Sequence, residues 1–422
     1  PTWTQTWILP CPHPPIPSSL PSFKRSLRLL LPFVFATGFI LGAGWNRLFA
    51  VQSEIVRQTA TDLSVAELSP TSPVVETPAL SPSSPVVTPS PSVPDQSQPT
   101  LSIKAVGDII PGTNFPNDRL PDQDGVWLFD NVKEYFYGAD ILFGNFESTL
   151  TDYPYSAKDT SRGQTFAFRT PPIYAQLLQQ VGFDVLSVAN NHSFDFGNQG
   201  FEDTIANIEQ RGMEAIGRRG EIVYETINGI SIAFIGFSYF PDHNSIHDLD
   251  TARALVDEAE QQADVIVISV HAGAEGSDAI HTSDQTEYFF GENRGNMVAF
   301  SRAMIDQGAD LILGHGPHVI RALELYQGRL IAYSLGNFMG YRTLSSEGVL
   351  GYSLILQVQL DDQGNFLFGK VVPVRLDDQG VPYIDESFRS VGLIRNLIEN
   401  DFPETPLFID ETGQILRREA PL

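Results

Sequence analysis

DVIVISVH, residues 264–271, is the stretch on which the reading of the fold turns. It is an almost unbroken apolar run, of the length and composition of a strand buried on both faces, and it stops at a histidine. TARALVDEAEQQ (251–262) precedes it and NMVAFSRAMIDQG (296–308) follows it. Both space their apolar residues as amphipathic helices do, and the second is closed by Gly308. DLILGH (310–315) then repeats the first pattern, an apolar run that ends in a histidine. Strands alternating with helices predict an α/β domain.

The same pattern extends outward. LSIKAVGD (101–108), ADILFGN (139–145), DVLSVANN (184–191), ISIAFIGFS (230–238) and LIAYSLGN (330–337) read as further buried strands. PPIYAQLLQQVG (171–182) and GFEDTIANIEQRG (200–212) read as further helices. GYSLILQVQLDDQGNFLFGKVVPVRL (351–376) reads as a hairpin turning at Asp-Gln-Gly, so the sheet is expected to be mixed. FRSVGLIRNLIEN (388–400) reads as a last helix packed on the core.

The ends of these runs carry the chemistry. KAVGD ends at Asp108, ILFGNFE at Glu147, LSVANNH at Asn191 and His192, VISVH at His271, and LILGHGPH at His315 and His318. Ligand sites in open α/β sheets form at the carboxyl ends of strands. Each end also admits a plainer reading: a turn or helix cap at Asp108, a hydrogen-bonded interior residue at His271, a Gly-Pro turn in GHGPH, left-handed backbone at Asn190 and Asn191. Their coincidence at one topological position favours a metal site. Two carboxylates, an amide oxygen and imidazoles suit Mn, Fe, Zn or Mg. Six candidate ligands are enough for one or two divalent ions, and a paired site polarises a phosphoryl or carbonyl oxygen. Asn145, Ser334 and Asn337 are candidate pocket residues; a turn role is the alternative for Asn145, and strand-end hydrogen bonding the plainer reading of Ser334 and Asn337. His243 and His247 in PDHNSIHD read as a surface loop, Glu275 as a loop residue, and Arg294 as either an anion clamp or a surface residue.

Composition narrows the partners. The 422 residues hold 26 Lys and Arg against 51 Asp and Glu, a net charge of −25, which argues against nucleic acid. A single cysteine, Cys11, excludes both a disulfide framework and a thiolate metal cluster. An acidic polymer would be repelled unless cations are focused in the cleft. Residues 1–23 are expected to be cytoplasmic. Residues 24–50, with Lys24, Arg25 and Arg28 ahead of an apolar run free of charge up to Arg47, read as a signal anchor with the rest of the chain exported. A cleaved signal peptide is the alternative, but a small-x-small cleavage site is poor there. Residues 51–100 read as a disordered Pro/Ser/Thr-rich linker; nine of the 30 prolines fall between Pro70 and Pro99. Residues 101–422 are the globular domain.

Taken in order, VGDIIPG, GNFE, ANNHSFDFG, VHAG, GHGPHV and IAYSLGNF resemble the poly-γ-glutamate capsule biosynthesis protein CapA family, itself similar to the calcineurin-like metallophosphoesterases. The resemblance covers roughly residues 101 to 345. It implies layered mixed β-sheets flanked by helices, and a metal set of Asp108, Glu147, Asn191, His271, His315 and His318. It further implies that His192 is the general acid–base residue. Asp195 joins His192 in the catalytic pair by orienting it; capping the helix from Gly200 is the alternative. There are departures. Ile110 stands where typical metallophosphoesterases have a histidine, Glu147 replaces a bridging aspartate, and the closing pair is His-x-x-His. The expected function is that of a surface-anchored, metal-dependent hydrolase or transferase of capsule or exopolymer biosynthesis. Its expected partners are an anionic polymer or phosphoester, the membrane, and other capsule synthesis proteins. A non-catalytic assembly component and an exported phosphodiesterase are the alternatives.

Overall fold

The computed structural model describes residues 99–162 and 165–418. The expected cytoplasmic segment, anchor and nearly all of the linker lie outside the described residues. Among the described residues no helix is long and apolar enough to cross a membrane.

The strands that place the site are β1 (Thr100–Ile110), β2 (Ile141–Phe146), β3 (Val185–Ser187), β4 (Glu214–Ile216), β5 (Val223–Ile227), β6 (Ile230–Ser238), β7 (Val265–His271), β8 (Leu311–His315), β9 (Leu323–Tyr326), β10 (Arg329–Ala332), β11 (Asn337–Gly340), β12 (Tyr352–Asp361) and β13 (Phe366–Leu376). They form two sheets. The first runs β13–β12–β1–β2–β3–β4, continued past β13 by two short C-terminal strands, with β11 paired to the end of β1. The second runs β9–β10–β8–β7–β6–β5. Both are mixed: β1 to β4, and β6, β7, β8 and β10, are parallel, while β12, β13, β5 and β9 run antiparallel to their neighbours.

Alternation along the strands sets the layers. Leu101, Ile103 and Ala105 of β1 and Phe143 of β2 face the second sheet and join Ile232, Phe234 and Val267 in one core. Val106, Leu142 and Phe146 face the other way and pack with Leu178 of α1 (Tyr174–Val181) and Phe201 and Ile205 of α2 (Gly197–Glu209). Helices α3 (Leu249–Glu260) and α4 (Met297–Asp306) lie on the second sheet, where Phe300 meets Phe237 with ring centroids 5.2 Å apart. Local chemistry fixes the helix ends. Asp248 accepts the Thr251 N–H and Asn296 the Ala299 N–H. Gly182, at φ 102°, closes α1 in the left-handed conformation. The last helix, α5 (Arg389–Asp401), packs through Val391, Ile394 and Leu397.

One expected strand is two. LIAYSLGN breaks after Ala332, and the chain crosses from the second sheet, where β10 pairs with β8, to the first, where β11 pairs with β1. Gly336 makes the crossing at φ 68°. It meets Gly107, where a Cβ would come within 1.8 Å of the Gly336 carbonyl oxygen. The absent side chain at 107 lets the Asp108 N–H donate to that oxygen at 2.9 Å, so two glycines hold the end of β1 against the crossing loop.

Candidate metal centre

Register brings the strand ends together. Asp108 lies opposite Asn145 on one side and Asn337 on the other, and His271 lies opposite His315. Asp108, Glu147, His271 and His315 are all buried. One ligand atom each from Asp108, Glu147 and His318 lie within 4.8 Å of one another. His318 Nδ1 is 3.0 Å from Asp108 Oδ2, and its Nε2 is 3.7 Å from Glu147 Oε1. His271 Nε2 is also 3.7 Å from Glu147 Oε1. His315 Nδ1 stands 3.5 Å from Asp108 Oδ1, too far for an ordinary hydrogen bond. His318 holds φ 59°, a conformation that costs a non-glycine residue of order 1–3 kcal/mol and clusters at functional sites.

Several of these groups lack partners. Both Glu147 carboxylate oxygens, Asn191 Oδ1, His271 Nε2 and both ring nitrogens of His315 are buried with no hydrogen bond. An orphaned buried polar atom costs about 1–3 kcal/mol, so a cluster of them calls for a ligand. Oxygen and imidazole donors converging without thiolates are what a Mn, Fe, Zn or Mg ion would take. The residues present therefore fit a divalent metal.

Electrostatics point the same way. Burial would push the Asp108 carboxyl up, but His315 and His318 outweigh it and hold it well below the usual range. Burial drives Glu147 well above its usual value, against the pull of His318 and with the push of Asp108 and Glu275. Burial opposes a charge on His318, yet Glu147 and Asp108 raise it to about 10. Burial keeps His271 neutral, the form a ligand requires. A proton on His318 thus stands between Asp108 and Glu147 where a cation would sit, and metal binding would expel it.

The ANNH segment divides its labour. Asn190 is structural: its Nδ2 donates to Asn145 Oδ1 and to the Phe146 carbonyl, and its Oδ1 accepts the His192 N–H. Asn191 is left with a free Oδ1. His192 places Nδ1 2.8 Å from Asp195 Oδ2, which leaves Nε2 for the cleft. Asp195 also accepts the Phe168 N–H at 2.6 Å. The alternative expectation for Asp195 does not match: the residue preceding α2 is Phe196, and no side chain caps that helix. Burial lowers the His192 pKa, opposed by Asp195 and assisted by Lys158.

Lys158 is a residue that the sequence reading missed. Its Nζ lies 2.6 Å from Asp195 Oδ1 and 3.0 Å from the Asn191 carbonyl. It comes from an irregular loop with no periodicity and no motif to mark it. Among the pocket candidates, Asn145 donates to Asp108 Oδ1 at 2.8 Å, and Asn337 Oδ1 is 2.9 Å from His318 Nδ1. The Ser334 hydroxyl accepts the Gly336 N–H in the crossing turn. Two loop expectations are overturned. His243 is fully buried, bonded to Ser238 and packed on Phe194, because Asn244 and Ser245 fold back to pair with β6. Arg294 is buried too, tied to Glu275 at 2.7 Å and to Glu292 at 3.0 Å and lying over the Tyr239 ring, so it is neither a surface residue nor free to clamp an anion. The cleft that remains has about 230 Å³, with Phe166, Phe168, His192, Glu275, Phe289 and His318 in its wall.

The family described as "Bacterial capsule synthesis protein PGA_cap" matches residues 102–341, more than half of the chain. The PGA biosynthesis protein CapA of Bacillus subtilis (strain 168) is 31% identical over 268 residues, 59% of this chain and 66% of that protein. The capsule biosynthesis protein CapA of Bacillus anthracis is 27% identical over 280 residues, 60% of this chain and 64% of that protein. The chain thus spans slightly less than two thirds of the length of these relatives. A solved structure of a 5'-nucleotidase precursor from Thermus thermophilus is also similar, with a TM-score of 0.39 and 13% identity over 71% of this chain and 58% of that one.

Proposed function

Because this chain belongs to the bacterial capsule synthesis protein PGA_cap family, we propose that it is a metal-dependent hydrolase or transferase of poly-γ-glutamate or related exopolymer biosynthesis. In this reading it has a metallophosphoesterase-like fold and acts outside the cytoplasm, tethered by residues 24–50. The observation that carries the reading is the convergence of unpartnered, buried ligand atoms from Glu147, His271 and His315 on Asp108 and His318, with a further unpartnered, buried Oδ1 on Asn191. These six residues would hold one or two divalent ions. A bound ion would polarise a phosphoryl or carbonyl oxygen of the substrate and favour attack by water near neutral pH.

The chain's own groups do the rest. Asp195 fixes the His192 ring through Nδ1, and Lys158 fixes Asp195 from its other oxygen. Nε2 is then the nitrogen that exchanges a proton with the reacting group. Burial keeps the ring neutral and ready to accept that proton. Phe168, its ring centroid 4.5 Å from that of His192, shields the imidazole from water.

Screening γ-glutamyl amides and simple phosphoesters, with Mn, Fe, Zn or Mg supplied, tests this. The parent should turn over one class. Asp108→Ala and His192→Ala should each lose about 10²–10⁴ of the rate while remaining folded. Equal rates in the parent and both variants would sink the proposal. A second reading, a non-catalytic assembly component, is favoured by Ile110. That residue is buried at the end of β1 where the resemblance leads one to expect a histidine. Stoichiometric metal without turnover of either substrate class would support it.

A further inference from the structure

Arg119 and Arg342 form a pair of cations with no ion-pair partner among the described residues. Arg119 Nη1 donates to the Arg342 carbonyl at 2.9 Å, and Arg119 Nε is buried without a hydrogen bond. Burial, and then the charge of Arg342, pull the Arg119 pKa down; no carboxylate acts against them. Asp118, the nearest acid in sequence, turns its carboxylate onto the Leu120 N–H. Arg218, Arg294, Arg302 and Arg321 each have at least one carboxylate partner. Arg342 also holds φ 53°, a strained backbone of the kind that concentrates at ligand sites.

The pair adjoins the metal centre. Arg119 lines a cavity of about 280 Å³ together with Asn117, Thr160, Thr165 and Phe166. Phe166 also lines the metal cleft, as do Thr343, Leu344 and Ser345, which directly follow Arg342. The exposed Phe166 ring is therefore a wall common to both spaces.

We propose that Arg119 and Arg342 form a subsite for a second anionic group, carboxylate or phosphate, of a polyanionic chain whose reacting bond lies at the metal centre. The inference rests on the metal-centre reading for its register. A planar guanidinium fork matches either oxyanion, and Phe166 would lie along the apolar stretch between the two anionic groups. The subsite gives a protein of net charge −25 a local focus of positive charge. Arg294 cannot supply it, since Glu275 and Glu292 already neutralise that residue.

Calorimetric titration of the full chain with γ-linked hexaglutamate and with linear hexaphosphate tests the subsite. The parent, Arg342→Gln and Arg119→Gln/Arg342→Gln are compared, with circular dichroism and elemental analysis of each. The double variant should bind at least one hexamer about tenfold more weakly than the parent, with metal content unchanged. Arg342→Gln, at an exposed position, should show about a threefold loss without any change in folding. A loss confined to one probe identifies the anion, and a loss with both shows that charge alone is read. Equal affinities of parent and double variant for both probes, or no binding of either by the parent, would overturn the subsite even where metal is present. A parent that binds through the arginines but holds no metal would leave the subsite standing and remove the metal centre.

Discussion

Replacing Glu147 by glutamine separates what the metal pocket costs from what it is for. Both Glu147 oxygens are buried without a hydrogen bond, and burial, with Asp108 and Glu275 close by, disfavours a charge that His318 and, less strongly, Lys158 support. Without a cation, such a group costs about 1–3 kcal/mol relative to a satisfied one. Glutamine keeps the shape and removes the charge. In EDTA the variant should therefore be at least as stable as the parent, and up to about 3 kcal/mol more so. For a domain of this size that is a rise of a few degrees in Tm, at roughly 2 °C per kcal/mol. Adding metal should reverse the order. A parent at a hundred times its Kd gains about 2.7 kcal/mol, and a variant that has lost an anionic ligand gains much less. Scanning calorimetry of both proteins, first in EDTA and then with Mn, Fe, Zn or Mg in turn, reads both effects. A variant that is less stable in EDTA and gains as much from metal as the parent would refute the reasoning and make Glu147 a purely structural carboxylate.

Further outcomes follow from the same geometry. Asp195→Asn and Lys158→Met should each lower turnover and shift its pH profile with metal content intact, because both act through His192; an unchanged profile in both would remove their positioning role. Gly107→Ala should destabilise the domain by about 1–3 kcal/mol or prevent folding, since its Cβ would fall 1.8 Å from the Gly336 oxygen; a melting temperature equal to that of the parent would contradict the close approach. His243 should make the fold acid-sensitive. Burial lowers its pKa to about 3, so the folded state keeps the ring neutral while the unfolded chain takes up a proton below about 6.5. Stability should therefore fall as pH drops from about 6.5 towards 3, by up to roughly 5 kcal/mol. His243→Phe should flatten that part of the curve, as urea unfolding across the range would show.

The site was legible wherever an apolar run stops at a donor. Asp108, Glu147, His271 and His315 sit at strand ends, and a strand's period of two fixes which way the last residue points. The alternation of strands and helices, the mixed sheets and the hairpin through Gly364 were legible for the same reason. What escaped the reading depends on contacts distant in sequence. Lys158 reaches Asp195 from a loop, and the Arg119 and Arg342 pair joins segments more than two hundred residues apart. PDHNSIHD looks solvated by composition, but it pairs back onto β6 and buries His243. LIAYSLGN looks like one strand because both of its halves are buried, although they belong to different sheets. Asn190 and Asn191 are adjacent and chemically identical; only the fold gives one to the scaffold and leaves the other's oxygen free.

The central claim is that these strand ends hold metal. Elemental analysis by mass spectrometry of the purified protein, beside His271→Ala/His315→Ala, tests it most directly. The account predicts one or two equivalents of a divalent transition metal or magnesium in the parent and their loss in a folded variant. A folded parent that stays metal-free after incubation with Mn, Fe, Zn and Mg would contradict it.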